Sequence, residues 1–150
     1  TIQSEQLASL PEPHLLAMKY SVTTDYPATI ELMTGIDAEV WDINGPHYAE
    51  TILYEEEGYL KAIGTTHENR DHVCVIEGHQ THFICAKDLL SDGKRIMHKM
   101  SFTTEGGTSY ELTKCTAVYT SKDTGDFEEK AKDLVRQALQ KGYQVLEILF

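Results

Sequence analysis

Basic residues are scarce in this sequence: 13 lysines and arginines stand against 24 aspartates and glutamates, a formal net charge of −11 over 150 residues. The few cations are scattered along the chain. A phosphate backbone or an anionic membrane surface needs a concentrated positive patch, so neither nucleic acid nor a membrane is expected as a partner. Cysteine is sparse as well. Cys74, Cys85 and Cys115 show no CxxC or zinc-knuckle spacing. An odd count in a chain long enough to bury its own core points to reduced thiols and a cytoplasmic setting; one disulfide with one free thiol is the alternative. No apolar run approaches the roughly 18–20 residues that span a bilayer. The opening TIQSEQLASLPEPH has neither the basic nor the apolar region of a secretory signal, so none is expected. GxSxG, HExxH and a Gly-rich phosphate loop ahead of a helix are missing too, and no metal or cofactor is expected.

What is present is alternation. Leu16, Met18, Tyr20 and Val22 recur at every second position, the mark of a strand with one buried face. Ala28, Ile30, Leu32, Ile36, Ala38 and Val40 share one parity and read as two strands joined near Thr34-Gly35, although Pro27 would also suit a helix start. Turn signals punctuate the rest: Asn44-Gly45-Pro46, Glu57-Gly58, Ser91-Asp92-Gly93-Lys94 and Gly106-Gly107. Gly78-His79 reads as a turn or bulge inside a long strand-rich stretch from His72 to Lys87. Ile96, His98, Met100 and Phe102 share one face of a further strand, and Tyr110 to Tyr119 form the last long one.

One helix is expected. Phe127, Ala131, Leu134, Val135, Ala138 and Leu139 make a single apolar stripe at a repeat of about 3.6 residues. Asp126 with Glu129 suggests a capping box, and Gly142 supplies the stop. The layout is a polar N-terminal arm over 1–12, a β-rich domain over 13–142, and a tail over 143–150. The tail is either a final strand or the remnant of a tag-removal site, since LEILF resembles the LEVLFQ segment cut by a viral cysteine protease.

Roughly seven to nine antiparallel strands with one apolar face tend to curl and close. The expected fold class is mainly β (α+β): one domain, a closed or strongly curved barrel-like sheet, and one amphipathic C-terminal helix. Trp41 is expected to plug a barrel end or pack beneath a loop. From Gly45 to Gly142 the chain resembles the second half of the Bet v 1/START-like helix-grip superfamily. The turn at Asp42-Ile43-Asn44-Gly45, the hairpin end Glu57-Gly58, the strand end Val75-Ile76-Glu77-Gly78, the Gly106-Gly107 turn and the closing helix carry that resemblance. A lipocalin-like (calycin) barrel is the alternative, because residues 23–41 are strand-like where the helix-grip family has two helices. Either resemblance implies an interior cavity for a small hydrophobic or amphipathic molecule.

Seven histidines and eight tyrosines are the candidate polar groups. His98, between Ile96 and Met100 on the inward face, reads either as a general base or as a core histidine satisfied by a neighbour. Tyr20 and Tyr110 are its candidate acid–base partners. Met18, Tyr20, Tyr54, Ile96, His98, Met100, Phe102 and Leu134 are the candidate cavity lining. His67, His72 and His79 are placed at loops or turns, and His79 and His82 on opposite faces of a strand. Three functions follow: a binder of a small hydrophobic ligand, a cofactor-free cyclase, isomerase or dehydratase in the same cavity, or an acidic module that inhibits a partner. A homodimer is compatible with each.

Overall fold

Each strand in this chain has two faces to cover, and the chain covers them with different partners. The computed structural model describes residues 1–43 and 45–148, with the side chains of Asp42, Glu147 and Ile148 outside the description. The strands are β1 (Ile2–Ala8), β2 (Leu15–Thr23), β3 (Ala28–Asp37), β4 (Trp41–Asp42), β5 (Gly45–Pro46), β6 (Tyr48–Glu56), β7 (Tyr59–Thr66), β8 (His72–Thr81), β9 (Ala86–Ser91), β10 (Arg95–Thr104) and β11 (Ser109–Thr120). Two helices follow, α1 (Phe127–Lys141) and α2 (Tyr143–Ile148). Among the described residues no helix is long and apolar enough to cross a membrane.

The strands form a six-stranded sheet in the order β1-β2-β11-β8-β7-β6 and a three-stranded sheet in the order β3-β10-β9, with β4-β5 as a separate small hairpin. All pairings are antiparallel. The expected closed barrel is therefore replaced by two stacked sheets. Alternation tells a strand to bury one face, and a facing sheet satisfies that demand as well as closure does. The chain steps between sheets after β2, β3, β8 and β10, so consecutive strands are often not neighbours.

The helix stripe forms as its spacing predicts. Ala131, Val135 and Ala138 are buried, and α1 lies against β8 and β11. It covers the outer face of the large sheet rather than a barrel mouth. Gly78 makes that approach close: a β-carbon there would sit 2.8 Å from Val135 Cγ1 and 2.9 Å from Leu139 Cδ1. Gly78 thus lies inside a continuous β8, and the turn or bulge expected at Gly78-His79 does not occur. The capping box is not made either. The Asp126 carboxylate accepts from the Thr124 hydroxyl instead, while Gly142 stops the helix with its N–H on the Ala138 carbonyl at 3.1 Å.

Several segments differ from expectation. Residues 2–8, read as part of a polar arm, pair with β2 as an edge strand; their side chains are nearly all exposed, so no apolar alternation marks them. Residues 28–37 form one strand, not two, because Gly35 packs against the neighbouring backbone instead of turning. Tyr143–Ile148 is helical, with Tyr143 and Leu146 buried, whereas Leu149 and Phe150 of the LEILF segment lie outside the described residues. Asn44 of the expected turn is outside them also. Trp41 plugs nothing: it is 70% exposed on the β4–β5 hairpin, beside a fully exposed Ile43. The three cysteines are free.

Candidate functional site

The two sheets do not meet through apolar side chains alone. At one end Ile36 and Ile96 of the small sheet pack on Leu60 and Ala62 of the large one. At the other, Phe83, Phe102 and Tyr110 form an aromatic group with ring centroids 4.3–5.5 Å apart. Between them runs a band of polar groups. Glu77 on β8, only 2% exposed, accepts a hydrogen bond from Thr34 Oγ1 on β3 at 2.8 Å and faces Lys114 Nζ on β11 at 3.2 Å. Its charge is thus compensated from both sheets, as a buried carboxylate requires.

His98 on β10 and His79 on β8 meet in the same band, edge to face, at 4.9 Å. Among the described residues none of their four ring nitrogens has a hydrogen-bond partner. His98 Nε2 is 3.4 Å from Glu55 Oε2 on β6, an ion-pair distance without hydrogen-bond alignment. Burial, reinforced by Lys87, holds the His98 imidazole below its ordinary range despite Glu55 and Glu77. Burial pushes His79 down to about 4, with Lys87, His98 and Lys114 acting in the same sense. Both rings are therefore neutral near pH 7.

Beside this band the stack opens. A cleft of about 700 Å³ lies between β3 and the β1–β2–β11 part of the large sheet, with Met18, Tyr20, Leu32 and Leu112 among its walls. The expected site residues fall into separate places. His98, Ile96, Met100 and Phe102 share the inner face of β10 and are all buried. Met18 and Tyr20 line the cleft. Tyr110 sits in the aromatic group, its hydroxyl accepting from the Glu105 N–H at 2.9 Å. Tyr54 is on the helix side of the large sheet, where its hydroxyl donates to Glu128 at 3.1 Å; burial and the Glu128 charge push it up to about 12. Leu134 is on α1, also on that side. Sequence reading missed the partners of His98. Glu77 and His79 share the parity of Val75, which places all three on one face of β8; the turn read at Gly78 hid that signal. Among the described residues no three His, Cys, Asp or Glu side chains converge as metal ligands.

The family model described as "Glycosyl hydrolase family 65, N-terminal domain" matches residues 1–147. This chain belongs to that family. A nigerose phosphorylase from Lachnoclostridium phytofermentans is 34% identical over 173 residues, an alignment covering 97% of this chain and 22% of that protein. A 1,2-alpha-glucosylglycerol phosphorylase from Bacillus selenitireducens is 28% identical over 131 residues, covering 87% of this chain and 17% of that protein. Among solved structures, the "Putative kojibiose phosphorylase from human microbiome" superposes with a TM-score of 0.74 at 11% identity, over 99% of this chain and 19% of that one; that likeness concerns the fold. The family 65 domain described here thus spans about a fifth of the length of its relatives.

Membership in family 65 overturns the helix-grip and lipocalin-like resemblances. The turns and closing helix that carried them are common to antiparallel sheets with a covering helix, and so do not discriminate. The hydrophobic-ligand carrier, the cofactor-free cyclase and the acidic inhibitor give way with them, as does the small hydrophobic partner. Of the residues expected to line an interior cavity, Ile96, His98 and Met100 are each 1% exposed, while Met18 and Tyr20 line the open cleft.

Proposed function

We propose that this chain is the non-catalytic N-terminal module of a longer glycoside phosphorylase. That enzyme would transfer a glucosyl group from a disaccharide or glucosyl-polyol to inorganic phosphate, releasing a sugar 1-phosphate and the acceptor alcohol. The family match over residues 1–147, shared with proteins named as phosphorylases, carries the reading. The layout of polar groups supports a structural role for the module. Glu77 is committed to Thr34 and Lys114, and His98 is sealed between sheets where no substrate reaches it. Catalytic acid and phosphate-binding groups would then come from the remaining four-fifths of the polypeptide.

The test is an assay of the longer polypeptide with nigerose, kojibiose and 1,2-glucosylglycerol, with and without phosphate. Sugar 1-phosphate formed from at least one of them only when phosphate is present is the expected result, with no turnover by residues 1–150 alone. Phosphate-independent hydrolysis at the same rate, or turnover by residues 1–150 alone, would overturn the proposal.

A further inference from the structure

The two stacked sheets are unequal, and the mismatch is on one side. The small sheet contacts the large one through β3 over β7 and β8 and through β10 over β6 and β7. It is therefore offset toward the β6 edge. The other half of the large sheet, β11, β2 and β1, has the 700 Å³ cleft in front of it. Phe102 and Phe83 cover the Tyr110 end of β11, and strands pair at about 4.8 Å, so the remaining gap beside β3 leaves room for at least one more strand in the small sheet.

The side of the cleft that faces this gap is a strand edge, for β3 pairs with β10 alone among the described strands. Ala38 N–H donates to the Lys94 carbonyl at 2.9 Å, and the register from Ala28 to Asp37 against β10 is unbroken. In an antiparallel ladder bonded pairs alternate with unbonded ones. The even residues of β3 therefore bond β10, and the N–H and C=O groups of Thr29, Glu31, Met33 and Gly35 point the other way. All four residues line the cleft. Opposite them stand the alternate apolar residues Met18, Tyr20, Val22 and Leu112, and Ile2 at the same level is 66% exposed. An edge of free backbone groups above a row of apolar side chains is what an added β-strand recognises.

We infer that a β-strand from outside residues 1–150 of the same polypeptide pairs with β3 in this cleft and continues the small sheet over β11 and β2. The inference rests on the reading of this chain as part of a longer enzyme. The relatives supply the length, since about four-fifths of each lies outside the matched region. α2 sits on β2 and α1, with the Tyr143 ring 5.3 Å from Lys19 Nζ. The described chain thus finishes on the face of β2 opposite the cleft, since Lys19 and Tyr20 point to opposite sides of the strand. The incoming strand has apolar residues at alternate positions, facing Tyr20 and Leu112, and brings no charge: Lys114, the cation in the wall, is already matched by Glu77.

Amide hydrogen exchange on the longer polypeptide, resolved to single residues, tests this. The Thr29, Glu31, Met33 and Gly35 amides are expected to exchange at least about 100-fold more slowly than the amide of Ile84, which is 98% exposed. Exchange within a few-fold of Ile84 would overturn the inference. Slow exchange that vanishes on hundredfold dilution, together with a fall in mass to the monomer, would assign the edge to a second copy and also overturn it. Phosphorolysis measured on the same sample separates the two readings. Full activity with unprotected β3 amides sinks the added strand alone; protected amides without phosphorolysis sink the enzyme reading alone.

Discussion

His79 and His98 reach across the gap between the two sheets and meet edge to face at 4.9 Å, each without a hydrogen-bond partner among the described residues. The pair is tolerated because both rings are neutral, and that neutrality has a pH limit. The groups facing them are Lys87 from β9, Lys114 from β11, Glu77 from β8 and Glu55 from β6. In the folded state both imidazoles lie below their ordinary value, His79 at about 4. In the unfolded chain each titrates near 6.5. The unfolded state therefore binds more protons below that value, and stability falls as pH drops from about 6.5 toward 4. Urea denaturation at pH 7.5, 6 and 5 is expected to show a loss of roughly 1–3 kcal/mol over this window. His79→Phe is expected to flatten the dependence. An unchanged slope in that variant would remove His79 as its source.

Glu77 is the buried anion of the same band, and Lys114 is its counter-ion. Lys114→Met is expected to destabilise by about 2–4 kcal/mol, because it leaves a buried carboxylate with only the Thr34 hydroxyl. Adding Glu77→Gln is expected to recover most of that loss, since a neutral amide oxygen still accepts from Thr34. A double-mutant cycle by urea denaturation reads the coupling. Additive losses would show that the two side chains do not act as a pair.

Gly35 and Gly78 are both close-approach glycines, with different neighbours. A β-carbon at Gly35 would lie 2.2 Å from the Ile96 carbonyl oxygen, which is backbone and cannot turn aside. At Gly78 it would meet side-chain atoms of Val135, Leu139 and Tyr59. Gly78→Ala is expected to cost about 1–2 kcal/mol as α1 lifts, and Gly35→Ala about 3 kcal/mol or more as β3 separates from β10. The reverse order in thermal melts would contradict the packing described for β3.

The three thiols are expected to differ in reactivity. Cys74 and Cys115 are fully buried, and burial pushes both up to about 12. Cys85 is half-buried in the β8–β9 connection. At pH 8, a thiol-exchange reagent is expected to modify Cys85 alone in the native protein and all three after denaturation. Rapid modification of all three without denaturant would place Cys74 and Cys115 outside the core.

Local structure was legible in this sequence where one short segment decides it. The α1 stripe needs only its own spacing, and the β6–β7 turn needs only Glu57-Gly58, both at positive φ (54° and 83°). Strand partners were not legible. The alternation of β2 says that Tyr20 and Lys19 face opposite ways, but not that β11 rather than β3 lies alongside. β8 was harder still, since Cys74 and Ile76 face α1 while Val75, Glu77 and His79 face the small sheet, so polar residues on a buried face looked like a loop. The polar band is invisible for the same reason: Thr34, Glu77, His98 and Lys114 come from four strands of two sheets. Function was least legible, because the sequence carries no catalytic spacing of a recognised kind and its turns and closing helix are shared by many antiparallel folds.

The position of Trp41 affects how this protein can be watched. It is the one tryptophan in the sequence, and it stands on a hairpin already open to solvent. Its emission is therefore expected to be red-shifted and readily quenched in the native state, and to change little when the sheets come apart. A denaturation curve followed by that signal would look flat for a protein that is unfolding, so tyrosine emission or far-ultraviolet circular dichroism is the reporter to use. The same indole becomes informative when another surface covers the hairpin, where a blue shift would signal contact rather than folding.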